Sequence, residues 1–127
     1  MIKDNERMQR KFKMYQEPLT LEKLKFRVEG LLQEEMGEAL EALDEKNAEE
    51  LVDAHIDLMV IALGNLYLMG VDIQKAWKEV YRANMSKKRG TKPGREQSGG
   101  FDLIKPEGWK APDHSDNHGV LDEIFSH

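Results

Sequence analysis

A chain of 127 residues with 24 acidic and 19 basic side chains, net charge −5, has room for one domain and is not expected to be a general nucleic-acid binder. With no cysteine it forms no disulfide or thiolate metal site, which agrees with a reducing, cytoplasmic setting. The opening "MIKDNERMQRKFK" lacks the apolar stretch of a signal peptide. The longest apolar run, Leu58 to Gly70, falls short of the roughly 18 residues of a membrane span, so no membrane partner is expected.

Four helices are predicted in chain order. The first runs from about Lys3 to Gln16 and stops at Glu17-Pro18, because a residue before proline is pushed out of helical backbone. The second starts at Thr20, a candidate N-cap, and reaches about Leu43. Leu21, Leu24, Val28, Leu31, Ala39 and Ala42 recur at helical steps and form one apolar stripe. The third begins after Asn47, whose spacing to Glu50 is that of a capping box, and ends at Gly70. From Leu58 onward it is apolar nearly all round, so it belongs at the centre of the fold or in a subunit interface. The fourth, capped by Asp72, carries Ile73, Ala76, Trp77, Val80 and Tyr81 and fades near Ser86.

No segment shows the alternation of a strand, so the chain is expected to be all-α, a four-helix bundle-type core. Residues 1–88 form this core, and residues 89–127 an extended arm. "KKRGTKPGREQSGG" is basic and rich in turn formers, and "FDLIKPEGWKAPD" reads as a strap lying on the bundle or on a second subunit. Phe12, Tyr15, Tyr67, Trp77, Tyr81 and Trp109 are assigned to core or interface, and His114, His118 and His127 carry no signal.

The acids are placed less conventionally. At about 100° per residue, Glu35 falls on the line of Leu24, Val28, Leu31, Ala39 and Ala42, with Glu38 at its edge and Glu34 just beyond. On the third helix Glu50, Asp53 and Asp57 share a face that continues as Ala54, Ile61, Gly64 and Leu68. Antiparallel packing of the two helices would gather up to six carboxylates. Buried together, they need protons, basic partners or a cation. Arg27 is the nearest base. Oxygen-only donors select Mg²⁺ first and Mn²⁺ second, and His55 points away from the acidic face. A di-iron carboxylate site would need Glu-x-x-His pairs, and Val52 stands three residues before His55.

"EEMGE" (Glu34, Glu35, Glu38) followed by "ELVD" (Glu50 to Asp53), with "NMSK" after them, resembles the EExxE…ExxD signature of the all-α nucleoside triphosphate pyrophosphatases. These are the MazG-like proteins, dimeric dUTPases and phosphoribosyl-ATP pyrophosphohydrolases, and the likeness spans roughly Leu19 to Lys88. The resemblance implies a bundle completed as a homodimer or dimer of dimers. It implies Mg²⁺ held by Glu34, Glu35, Glu38, Glu50 and Asp53, with Asp57 added only by the helical-face argument. It further implies hydrolysis of a nucleoside triphosphate between the α- and β-phosphates, with Asn84 and Lys87 facing the nucleotide and Lys88 and Arg89 beside them. Glu35 is the candidate proton acceptor, and Glu38 the second candidate catalytic carboxylate. Two alternatives stay open: phosphoribosyl-ATP as substrate, and a non-catalytic helical dimerisation module.

Overall fold

The computed structural model describes residues 1–126, the Tyr15 side chain excepted. The readings of Tyr15 and His127 lie outside the described residues. The fold is mostly helical, as expected, and divides into two compact units, Met1–Ile73 with His118–His127 and Gln74–Asn117.

In the first unit, α1 (Ile2–Lys11) is followed by a 3-10 turn at Met14–Gln16, which the left-handed Lys13 (φ 55°) separates from the helix. The long second helix has three parts: α2 (Leu21–Lys25), a π-helical stretch (Phe26–Leu32) and α3 (Gln33–Asp44). Thr20 caps it as predicted, its hydroxyl accepting from the Lys23 amide at 3.2 Å. The π stretch breaks the 100° step on which the apolar stripe was built. Leu24, Ala39 and Ala42 are buried, but Val28, inside the π stretch, is 42 % exposed.

Helix α3 hands over to α4 (Ala48–Met69) through Glu45–Asn47. Here the Lys46 amide donates to Leu43 O and the Asn47 amide to Ala42 O, which closes the helix end with Lys46 left-handed at φ 56°. Asn47 Oδ1 then accepts from the Glu50 amide at 3.1 Å. Because the Asn47 amide is already used, the Glu50 carboxylate is not needed to complete the cap. Gly70, left-handed at φ 77°, ends α4. The tail returns to this point, where Val120 N donates to Met69 O and a short helix, α6 (Leu121–Phe125), begins. Gly119 (φ 57°) is required there, since a Cβ would overlap the Met69 carbonyl.

The core departs from expectation in two ways. Among the described residues its buried apolar side chains in this unit are few and mostly small: Leu24, Ala39, Ala42 and Ala54. Beside them lies a polar layer. Asn5 and Gln9 of α1 and Asn65 of α4 are buried, Asn5 Nδ2 donates to Val60 O, and Arg27 Nε donates to Asn65 Oδ1 at 2.6 Å. Gly64 admits this layer: a Cβ there would stand 2.7 Å from Gln9 Nε2 and 2.9 Å from Arg27 Nη2.

Large apolar side chains remain outside instead. Met36, Leu40 and Leu43 on α3, and Val52, Ile56 and Met59 on α4, form two exposed rows at helical spacing. Phe12, Trp77 and Tyr81 are also more than half exposed, so they do not fill the core of the single chain. Helix α4 corrects a further expectation. Its 22 residues, with mean hydropathy 1.5 in the most apolar window and 17 % of that window buried, are long and apolar enough by length and composition to cross a membrane. The apolar run was counted from Leu58, just after Asp57, whereas the helix begins at Ala48.

In the second unit, α5 (Ile73–Met85) leads into two short strands that the sequence did not predict, β1 (Lys88–Gly90) and β2 (Asp102–Ile104). They pair antiparallel, Lys88 opposite Ile104 and Gly90 opposite Asp102. Three residues are too few to display an alternating pattern. Ala83 of α5 is fully buried.

Candidate active site

Helices α3 and α4 pack on each other more extensively than any other pair, and the tight turn at Lys46 makes them antiparallel neighbours. Their acidic faces therefore meet. Glu35 is half-buried, and its Oε2 is enclosed without a hydrogen-bond partner. Burial, a hydrogen bond and charge from Glu38, and the charges of Asp57 and Glu34 push the Glu35 carboxyl up to about 7. Asp57, also half-buried, is raised by burial, by the charges of Asp53 and Glu38, and by a hydrogen bond with Asp53.

Five of the six predicted acids thus interact: Glu34, Glu35, Glu38, Asp53 and Asp57. Glu50 lies exposed in the first turn of α4 and does not figure among the charges acting on Glu35 or Asp57. Glu34, Glu38 and Asp53 are exposed, so the cluster is open to solvent on one side rather than fully dry.

Arg27 does not neutralise it. Its Nε is committed to Asn65, burial lowers its pKa, and no carboxylate pairs with it among the described residues. His55 is exposed, with Nδ1 2.8 Å from Leu51 O. What remains is an oxygen-only donor set under mutual repulsion, with one covered and unpartnered oxygen. That set fits a hard divalent cation by donor type and charge. Among the described residues, no three acidic or histidine side chains are drawn together into an ion cage.

At the other end of α4 the first unit carries two clefts. One, of about 470 Å³, is lined by Met14, Leu19, Phe26, Arg27 and Leu68 among others. The second, of about 520 Å³, is lined by Pro18, Tyr67, Leu68, Val120 and Ile124 among others.

The four predicted phosphate-facing residues lie in the second unit. Asn84 is exposed near the end of α5, and its carbonyl accepts from the Lys87 amide at 3.1 Å. The Lys87 ammonium lies 5.2 Å from the centre of the Trp109 ring, Lys88 opens β1, and the Arg89 guanidinium lies 3.8 Å above Phe101. The contribution of Trp109 and Phe101 was not foreseen: Trp109 was assigned to core or interface, and Phe101 was read only as part of the strap. The signal available was a tryptophan set among lysines in "KPEGWK".

A mostly helical chain with acidic faces on neighbouring helices fits the nucleotide pyrophosphohydrolases, hydrolases acting on acid anhydrides. The match is specific: the phosphoribosyl-ATP pyrophosphohydrolase family fits residues 3–84, and the chain belongs to it. No match is found among curated proteins.

Proposed function

We propose that the protein is a Mg²⁺-dependent nucleoside triphosphate pyrophosphohydrolase that releases a nucleoside monophosphate and pyrophosphate. The observation that carries this reading is Glu35: a carboxyl raised to about 7, with one enclosed and unpartnered oxygen, among acids from two helices. Such a group is poised to exchange a proton near neutral pH. In the reaction, water adds to the α-phosphorus, the bond from that phosphorus to the bridging oxygen breaks, and Glu35 takes the proton the water gives up. Glu38, hydrogen-bonded to Glu35, holds that carboxyl in place and keeps it basic.

Glu34, Glu35, Glu38, Glu50 and Asp53, with Asp57 beside them, would hold Mg²⁺, which when bound supplies positive charge against the phosphates and Lewis acidity at the reacting phosphoryl group. Asn84, Lys87, Lys88 and Arg89 would bind the phosphates through charge-assisted hydrogen bonds.

A second reading keeps the same bond cleavage with phosphoribosyl-ATP as substrate, and the family match favours it. We further propose that the chain works as a homodimer or dimer of dimers. Exposed rows on α3 (Met36, Leu40, Leu43) and α4 (Val52, Ile56, Met59) support this, since apolar surface of that kind belongs in an interface. The discriminating experiment is pyrophosphate release from ribo- and deoxyribonucleoside triphosphates and from phosphoribosyl-ATP, with Mg²⁺ and with chelator. Release of inorganic phosphate alone, or no turnover of any of them, would refute the proposal.

A further inference from the structure

The strap that follows β2 lies outside the residues matched by the family, and the proposed chemistry leaves it without a role. Within the second unit it runs antiparallel along α5 on successive rungs. Asp116 meets Lys75 at 2.5 Å, the Asp113 amide donates to Glu79 at 3.0 Å, Arg82 donates to Ala111 O at 3.1 Å, and Trp109 Nε1 donates to Ala83 O at 2.8 Å. The last rung fixes the indole at the C-terminal end of α5. Lys87 and Lys105 both lie over that ring, at 5.2 and 5.0 Å from its centre, so their ammonium groups are no more than about 10 Å apart. On the neighbouring hairpin Arg89 lies 3.8 Å above Phe101, and its Nε donates to Gly100 O.

Three acids of this unit are engaged elsewhere, and Glu96 and Glu107 form no ion pair among the described residues. Glu79 and Asp116 belong to the rungs, and Asp102 accepts from the Lys92 amide and pairs with Arg95. Among the described residues no carboxylate pairs with Lys87, Lys105 or Arg89. Three cations are therefore held on the faces of two neutral rings, which orient them without cancelling their charge. Repulsion between them is relieved by a ligand that carries several negative charges in a row.

We propose that Trp109 and Phe101 are positioning residues for the substrate's phosphates and that Lys105, in the strap, is a further phosphate contact alongside Lys87 and Arg89. This deepens the proposed function and rests on it. It assigns the strap to the polyphosphate-binding surface.

Two measurements test it on the full chain. In steady-state pyrophosphate release, Lys105→Gln is expected to raise KM about fivefold or more with kcat within about twofold, since a ground-state phosphate contact is lost. Trp109→Leu should raise KM likewise, and Trp109→Phe, which keeps a ring but loses the bond to Ala83 O, should fall between. Trp77→Phe leaves Trp109 as the sole tryptophan of the two in the sequence. Tripolyphosphate should then change its emission saturably as the lysines leave the ring, and adding Lys105→Gln should weaken that response. An unchanged KM for Lys105→Gln overturns the proposal. Should wild type hydrolyse no nucleotide, the functional reading fails and the emission titration decides the strap alone: a response weakened by Lys105→Gln supports it, and any other result overturns it.

Discussion

Glu35→Gln is the most informative single change. In the metal-free protein the Glu35 carboxyl sits at about 7 against an ordinary 4.5. Below the ordinary value it is protonated folded or unfolded, and it costs nothing. As pH rises from there to about 7, the unfolded chain ionises while the folded one retains its proton, so stability falls; above that window the full penalty is present. At 1.36 kcal/mol per unit the interval is worth about 3 kcal/mol, but the cluster is open to water on one side, and screening leaves about 1–2 kcal/mol. Glutamine keeps the shape and removes the charge. In chelator at pH 8 the variant should therefore melt about 3–6 °C above wild type, and at pH 4 the two should coincide. Mg²⁺ should raise the melting temperature of wild type and much less that of the variant, whose pyrophosphate release should drop about 100-fold or more. Thermal unfolding at the two pH values, with and without Mg²⁺, is the assay. Equal melting at pH 8 in chelator would refute the argument, because Glu35 would then not be strained by its neighbours.

Other outcomes follow from packing and backbone geometry. Gly64→Ala forces a methyl against Gln9 and Arg27, which are held by Asn5 and Asn65, and should cost about 1–3 kcal/mol in denaturant unfolding. Lys46→Gly relieves a left-handed residue at the α3–α4 turn and should raise the unfolding midpoint by the equivalent of about 0.5–1 kcal/mol; a loss of stability would show that the turn carries no strain. Leu40→Glu, on the exposed row of α3, should shift the sedimentation coefficient toward monomer while far-UV circular dichroism stays unchanged; an unaltered assembly would place the subunit contact elsewhere.

The sequence was most legible where one residue does one local job. Thr20 and Asn47 cap helices because their side-chain oxygens reach amides three residues on, and Gly70 ends α4 because it accepts a positive φ. The acidic pairing was legible for the same reason, since Glu35 and Asp57 each fall on an inward helical face. The π stretch was not: "FRVEGLL" contains no proline, its one glycine is tolerated in ordinary helix, and no local pattern marks a widened turn. Nor was the polar layer, because Asn5, Gln9 and Asn65 look like surface residues until Arg27 supplies a reason to bury them. The strands escaped notice through brevity, and the strap's rungs join residues up to 41 positions apart, beyond any local pattern.

The π-helical stretch has a consequence for insertions and deletions. Removing one residue between Phe26 and Leu32 would let the segment relax to ordinary α-helix without breaking the chain's rise. Every side chain downstream would nonetheless swing by about 100° relative to the helix's own N-terminal end. A chain shortened in this way would keep its helix content and the meeting of Glu35 with Asp57, which both lie downstream, but would turn α2, with the buried Leu24, out of register with α3, so related chains that vary in length at this point would have to repack the first turns of the helix.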